Sequence, residues 1–174
     1  MKIAVLGYSG SGKSTLAAEV GAQLGCPVLH LDTLQFLPGW VERDREEARA
    51  LAADFLDRER AWVIDGNYTG FHQARRLAEA ERIILLDFPR RVCLPRVVRR
   101  YLRNRGRSRE SMAPGCVEKL DWAFLRWVLW EGRTPDVRRH YREIAAQYPE
   151  KTAVLRSPRQ VQALLAALDK TKDL

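Results

Sequence analysis

The chain alternates short apolar runs with longer segments in which apolar residues recur at helical spacing. The apolar runs predict strands at 3–6, 27–31, 62–64, 82–86 and 152–155. The periodic segments predict helices at 13–24, 43–60, 92–103, 117–130, 137–147 and 158–168. In the second of these helices, for example, Ala48, Ala52 and Phe55 would share one apolar face. Strands separated by helices predict βαβ units and an α/β fold with a doubly wound, parallel five-stranded sheet.

A glycine-rich segment separates the first strand from the first helix. It matches the pattern G-x-x-x-x-G-K-[S/T] without a mismatch, and one further threonine follows. Its residues are Gly7, Tyr8, Ser9, Gly10, Ser11, Gly12, Lys13, Ser14 and Thr15. Glycines let backbone N–H groups wrap closely around a phosphate, and the N-terminus of the helix adds partial positive charge. Between a strand and a helix, the motif predicts a phosphate-binding loop (P-loop) for a nucleoside triphosphate.

Two side chains of this loop are expected to act on the nucleotide directly. Lys13 would neutralise β- and γ-phosphate oxygens and is assigned to catalysis, and the Ser14 hydroxyl would hold Mg²⁺. We therefore predict ATP and Mg²⁺ as cofactors. The alternative is a glycine- and serine-rich turn that matches the pattern by chance, and the strand-to-helix context argues against it.

Two aspartates follow predicted strands. Asp32 comes after the run 27–31, and Asp65 comes after the run 62–64. In an open α/β sheet, the chemistry lies beyond the carboxyl ends of the strands. We assign Asp65, which precedes Gly66, to the Mg²⁺ site, and Asp32 to the phosphate acceptor as a base or a positioning group. The alternative for each aspartate is a helix cap or a turn.

The charge of the chain indicates anionic partners. The net charge is +8 with a pI near 9.8, and arginine greatly outnumbers lysine among the 30 basic residues. Arginine is favoured where a phosphate or a carboxylate is bound through two parallel hydrogen bonds. These partners would be nucleotides or nucleic acid, and composition does not choose between them.

Arginines are concentrated in one segment that contains no acidic residue. They are Arg90, Arg91, Arg96, Arg99, Arg100, Arg103, Arg105, Arg107 and Arg109. The segment 104–116 is predicted to be a lid insert that closes over the transferred phosphoryl group, whose charge arginines would stabilise. The arginines assigned to catalysis are Arg103, Arg105, Arg107 and Arg109. A solvated basic face and a nucleic-acid-binding helix are the two alternatives.

The sequence resembles the P-loop kinases of small molecules, the group that includes adenylate, shikimate and gluconate kinases. The resemblance rests on the glycine-rich loop, the two aspartates and the arginine-rich segment. The resemblance implies ATP-dependent phosphoryl transfer, a sheet in the order 2-3-1-4-5 and a lid between the fourth and fifth strands. It also implies an adenine pocket formed in part by Arg156, with Arg103 on the other face of the base.

A narrower resemblance extends over nearly the whole chain, to the bacterial proteins labelled DNA topology modulation protein. It rests on the P-loop and on the motifs at 30–32, 35–40, 65–68, 104–107 and 131–134. The chain departs from adenylate kinase at Leu31-Asp32-Thr33 and at Asp65-Gly66-Asn67-Tyr68, which argues against AMP as the acceptor. The segment 35–45, with Phe36, Trp40, Arg43 and Arg45, would either bind the acceptor or pack as an ordinary loop.

We therefore expect a single kinase-like domain over 1–174 that transfers phosphate from Mg-ATP to a small molecule. The rival functions are a nucleotide-regulated nucleic-acid-binding protein and an ATPase switch without a small acceptor. No run of eighteen apolar residues occurs, and the apolar N-terminal stretch is too short for a signal peptide, so we expect a cytoplasmic protein.

Overall fold

A computed structural model, which describes residues 1–170, contains a five-stranded parallel sheet with helices on both faces. The strands are β1 (Lys2–Gly7), β2 (Val28–His30), β3 (Phe36–Leu37), β4 (Val41–Glu42), β5 (Trp62–Asp65), β6 (Arg82–Leu86) and β7 (Thr152–Leu155). The helices are α1 (Lys13–Leu24), α2 (Leu31–Gln35), α3 (Arg45–Arg58), α4 (Gln73–Glu79), α5 (Arg90–Asn104), α6 (Trp122–Leu129), α7 (Pro135–Gln147) and α8 (Pro158–Lys170). The predicted α/β class is confirmed.

The order of strands in the sheet is β2-β5-β1-β6-β7, and every neighbouring pair is parallel. Counted over all seven strands, this order differs from the expected 2-3-1-4-5. The difference arises because β3 and β4, which form a separate antiparallel hairpin, were not predicted. Each has only two residues, too few for an alternating pattern to be recognised. The five segments predicted as strands are themselves arranged second, third, first, fourth and fifth.

The chain after β2 also corrects the prediction that Asp32 ends a strand. β2 ends at His30, and Asp32 lies in the first turn of the short helix α2. The Thr33 hydroxyl donates a hydrogen bond to the carbonyl oxygen of His30, 2.7 Å away, and so supports this turn. Asp32 is therefore placed by a helix that periodicity did not reveal, because five residues are too few for a helical pattern.

The core has two layers, one on each face of the sheet. Along β1, Ala4 and Leu6 pack toward α3, α4 and α7, whereas Ile3 and Val5 pack toward α1, α5 and α8. None of these four side chains is exposed, which is why the strand reads as a continuous apolar run. None of the described helices combines the length and the apolarity that crossing a membrane would require.

A buried arginine on α4 shapes the loop that follows β5. The guanidinium of Arg76 donates to the carbonyl oxygens of Phe71 at 2.8 Å, Tyr68 at 2.6 Å and Gly66 at 3.4 Å. Only 1% of the residue is exposed, and burial lowers the pKa of Arg76 to about 10. One side chain thus donates to three backbone carbonyl groups of this loop, and the contacts with Phe71 and Gly66 are buried.

We predict that Arg76→Met lowers the free energy of unfolding by about 3 kcal/mol, because it leaves buried carbonyl groups unpaired. The control is Arg75→Met on the same helix. Arg75 pairs with Asp57 and Glu79 at 2.6 Å, but its side chain is 37% exposed. Removing these surface pairs should cost about 1 kcal/mol or less. Urea unfolding measures both variants, and equal losses would contradict the role given to Arg76.

Candidate functional site

The glycine-rich loop adopts a conformation that depends on two of its glycines. Gly10 and Gly12 have φ angles of 78° and 97°, in the left-handed region. A Cβ atom at Gly10 would also lie 2.7 Å from the carbonyl oxygen of Cys93 and 2.6 Å from a methyl carbon of Val97, both on α5. Gly12 precedes α1 without a side-chain cap, so the first N–H groups of the helix remain free for an anion.

Two side chains from other elements hold the backbone of this loop. The Asn67 side chain pairs with Gly7 twice: the Gly7 N–H donates to Oδ1 at 3.1 Å, and Nδ2 donates to the Gly7 carbonyl at 2.8 Å. Arg96 on α5 donates from Nη1 to the carbonyl oxygen of Ser11 at 2.8 Å. Both contacts were missed from the sequence, because each joins residues far apart in the chain.

Asp65 lies beside the loop, at the end of β5. It is 4% exposed, and its Oδ2 is 3.0 Å from Nδ1 of His30. Burial raises the pKa of the Asp65 carboxyl, but the hydrogen bond with His30, the charge of Lys13 and the Ser14 hydroxyl outweigh burial and lower that pKa overall. The side chain is therefore an anion close to both predicted nucleotide-binding residues.

The other oxygen of the Asp65 carboxylate, Oδ1, is buried without a hydrogen-bond partner. An unpartnered carboxylate oxygen near a hydroxyl fits the needs of Mg²⁺, which keeps several waters and binds few protein ligands besides substrate phosphates. No group of three or more His, Cys, Asp or Glu side chains in residues 1–170 could hold a metal by itself.

Asp32 is held by an aromatic side chain that was not predicted to take part in the site. The Tyr68 hydroxyl donates to Oδ1 of Asp32 at 2.7 Å, and the Tyr68 ring stacks on Phe71 with 5.0 Å between centroids. Burial and the negative charge of Asp32 raise the pKa of Tyr68, so that the phenol stays protonated and donates. The geometry thus fixes the direction of the Asp32 carboxylate.

A cavity of about 870 Å³ opens beside the loop, within the range of small-molecule sites. It is lined by the loop from Gly10 to Leu16, by α5 arginines, by part of the segment after α5 and by the first turns of α8. The arginines that line it are Arg96, Arg99, Arg100, Arg103 and Arg109. Pro158, Val161 and Gln162 form its wall at α8.

The segment between α5 and α6, residues 105–121, is called the lid segment here and includes most of the predicted lid. Its Glu118 has a side chain only 3% exposed and bridges two arginines. Arg109 Nε lies 2.5 Å from Oε2, and Arg100 Nε lies 2.8 Å from Oε1. Burial lowers the pKa of Arg100, as does the charge of Arg109, while Glu118 and Asp32 raise it. Glu118 therefore holds two cationic groups at the cavity.

The lid segment is docked on the β3–β4 hairpin. The Gly39 N–H donates to the Gly115 carbonyl at 3.3 Å, and the Trp40 indole N–H donates to the Val117 carbonyl at 2.8 Å. Cys116, with Met112 and Ala113, forms a small buried cluster against Phe36 and Trp40. Of the two interpretations of segment 35–45, the structure thus shows packing, by Phe36 and Trp40 against the lid segment.

The structure brings only some of the assigned arginines to the cavity. Arg103 and Arg109 line it, whereas Arg105 and Arg107 are exposed and lie outside its lining. Arg156 instead pairs with Asp87 at 3.1 Å and lines a cavity on the other face of the sheet. Arg105 and Arg107 flank Gly106, where the chain turns after α5 ends at Asn104, and all three residues of this turn are exposed. Sequence reasoning missed three further arginines of the arginine-rich segment that line the cavity, namely Arg96, Arg99 and Arg100.

Comparison with known proteins shows the fold. No family model and no curated protein matches the chain. Among solved structures, it is similar to a shikimate kinase from Acinetobacter baumannii in complex with shikimate, with 14% identity, a TM-score of 0.55 and coverage of 98% of this chain and 94% of that one.

Two structures of a deoxyadenosine kinase from M. mycoides are also similar. The one with bound dATP has 15% identity and a TM-score of 0.54 over 100% of both chains. The one with dCMP and a flexible dCDP bound has 14% identity and a TM-score of 0.51 over 99% of this chain and 98% of that one. The chain therefore has the fold of these kinases. The narrower resemblance to DNA topology modulation proteins is not supported.

We predict that Glu118→Gln loosens the lid segment, because two arginines lose the charge that holds them. Amide hydrogen exchange within 105–121 should become about tenfold faster or more, because the charge-assisted hydrogen bond with Arg100 and the ion pair with Arg109 are both weakened. Glu110→Gln is the control, since Glu110 is an exposed residue of the same segment. Unchanged exchange in Glu118→Gln, or equal acceleration in both variants, would contradict the bridge.

Proposed function

We propose that the chain is an ATP-dependent phosphotransferase, a kinase that transfers the γ-phosphoryl group of Mg-ATP to a small molecule. The observation that carries this proposal is the convergence of two independent groups on one cavity. The P-loop with Lys13 forms one wall, and five arginines from α5 and the lid segment line the same space. The negative charge of a triphosphate is suited to a cavity with this lining.

On the donor side, the loop N–H groups and Lys13 would bind the β- and γ-phosphates. Arg100 and Arg109 would stabilise charge on the phosphoryl group in transit, because both are fixed by Glu118 and need little reorganisation. Arg103 would lie over the adenine, with Val161 of α8 on the cavity wall. Arg156, the other residue predicted to contact adenine, pairs with Asp87 and does not line this cavity, so it has no part in the proposed adenine site.

Ser14 and Asp65 would hold Mg²⁺, Asp65 through water molecules. The ion, when bound, supplies charge neutralisation between phosphate oxygens. His30 contributes by fixing one oxygen of Asp65 and leaving the other free.

On the acceptor side, Asp32 would accept the proton of a hydroxyl group or position that group for attack. Tyr68 holds its carboxylate in place, and Arg100 lies within electrostatic reach. A similar solved kinase holds shikimate, which supports a small polar acceptor. Its identity is a question for a screen of nucleosides, nucleotides and hydroxylated metabolites.

The direction of the arginines favours this proposal over nucleic-acid binding. Five arginines of the tract line the cavity beside the P-loop, and Arg96 is used to hold the loop itself. A groove for nucleic acid would require these charges on an open face. As part of the proposal, the protein acts in the cytoplasm, where ATP is available.

We predict that Lys13→Ala lowers acceptor-dependent ADP release about 100-fold or more, because the phosphate oxygens lose a fixed positive charge. The variant should stay folded with a slightly lower melting temperature, because Lys13 is not part of the buried core but its charge favours the buried Asp65 anion. The matched control removes two lid charges outside the cavity, Arg105→Gln with Arg107→Gln, and should keep its turnover. Unchanged ADP release in a folded Lys13→Ala variant would refute the proposed function.

We further predict that Asp32→Asn lowers acceptor-dependent turnover about 100-fold while the ATP affinity changes about threefold or less, because an amide cannot serve as a base. Asparagine still accepts the Tyr68 hydrogen bond, so the local structure should persist. Asp54→Asn, an exposed residue of α3, is the control. Parallel losses of ATP affinity and turnover in Asp32→Asn would assign Asp32 to the donor site instead.

A further inference from the structure

A second cavity lies on the opposite face of the sheet from the P-loop cavity. It has a volume of about 530 Å³. Its apolar floor comes from Leu85 of β6 and Val154 of β7, together with the aromatic rings of Tyr8 and Tyr141. Both tyrosine residues are only 5% exposed, and their ring centroids are 5.2 Å apart. We call it the α7 cavity, because that helix forms one wall.

The rim of the α7 cavity carries an excess of positive charge. Arg138 and Arg142 lie four residues apart on α7, and neither has an acidic partner within residues 1–170. Arg142 donates only to the carbonyl oxygen of Arg138, 3.4 Å away. The one acid in the lining, Asp87, is paired with Arg156 at 3.1 Å. Like charges at this helical spacing destabilise a helix by a few tenths of a kcal/mol. The presence of both arginines therefore has no explanation in the stability of α7.

Besides the two unpaired arginines, two tyrosine hydroxyl groups of this cavity are also without partners within residues 1–170. Neither the Tyr8 nor the Tyr141 hydroxyl has a hydrogen-bond partner in the described part of the chain. Burial and the negative charge of Asp87 raise the pKa of Tyr8, although the charges of Arg133 and Arg138 oppose them, so the hydroxyl stays protonated at neutral pH. A protonated hydroxyl can donate to an anion that the arginines attract.

We propose that the α7 cavity is a second ligand site, for a small organic anion with an apolar or aromatic body. The body would lie on the floor, and a phosphate or carboxylate group would be bound by Arg138 and Arg142. The volume lies within the range of small-molecule sites, and arginine recognises both groups through paired hydrogen bonds.

One residue of the P-loop, Tyr8, also lines the α7 cavity. Tyr8 follows Gly7 in that loop, and the guanidinium of Arg133 lies 3.9 Å from the centroid of its ring. Arg133 is itself buried and donates to the carbonyl oxygens of Phe88 and Val128. Arg133 therefore holds the Tyr8 ring from one side, and the ring presents a fixed surface to a ligand in the α7 cavity.

The test uses fluorine NMR of 4-fluorophenyl phosphate and 4-fluorobenzoate, with 4-fluorobenzyl alcohol as the neutral analogue. Binding of at least one anion to the wild-type chain at millimolar concentration is expected, at least tenfold tighter than that of the alcohol. The two anions distinguish phosphate from carboxylate recognition. The variant Arg138→Gln with Arg142→Gln should weaken binding tenfold or more. The matched control Arg139→Gln, whose side chain pairs with Asp136 on the same helix, should bind as the wild type does.

Lys13→Ala separates this site from the P-loop cavity, and it makes the result independent of the proposed kinase function. Anion binding should persist in Lys13→Ala. Binding that is lost in Lys13→Ala but retained in the double α7 variant would overturn the second site, as would equal losses in the Arg139→Gln control. Equal affinity for the alcohol, or no anion binding to the wild-type chain, would also overturn it.

Discussion

The close contact between the P-loop and helix α5 is the constraint on which the site depends. At Gly10 the two backbones meet with no room for a Cβ atom, because the Cys93 carbonyl and Val97 occupy that space. The same contact fixes the rotation of α5 about its axis. Arg96, Arg99, Arg100 and Arg103 follow at steps of three and four residues, and all face the cavity. The packing of α5 against the P-loop therefore also determines that these arginine side chains face the cavity.

So much positive charge around one space has an electrostatic cost, and the buried Glu118 reduces it. Glu118 is buried between Arg100 and Arg109 and offsets part of their mutual repulsion. A buried pair of this kind contributes little net stability, but it restricts where the charged groups lie. Because Glu118 lies on a segment docked against the β3–β4 hairpin, the arrangement of these arginines depends on residues outside the P-loop.

The parts of the molecule that could be predicted from sequence are those set by local pattern. The P-loop and the five parallel strands follow from glycine spacing and apolar runs within a few residues. Asn67, Arg76 and Glu118 could not be found in this way. Asn67 acts on Gly7, sixty residues away, and Arg76 satisfies carbonyl groups of an irregular loop. Arg109 faces the cavity because it pairs with Glu118, a contact between distant residues. Sequence composition does not show this contact, so it could not distinguish Arg109 from Arg105 and Arg107.

The hydrogen bond from the Trp40 indole to the Val117 carbonyl has a spectroscopic consequence. A separation of the lid segment from the hairpin would exchange the carbonyl partner of this indole for water and would shift its emission to longer wavelength. Trp122, Trp127 and Trp130 are 69%, 48% and 55% exposed and emit as solvated indoles in either state, while Trp62 is fully buried. Phenylalanine at the three exposed positions would leave Trp62 as a constant signal and make Trp40 an optical reporter of the contact between the lid segment and the hairpin.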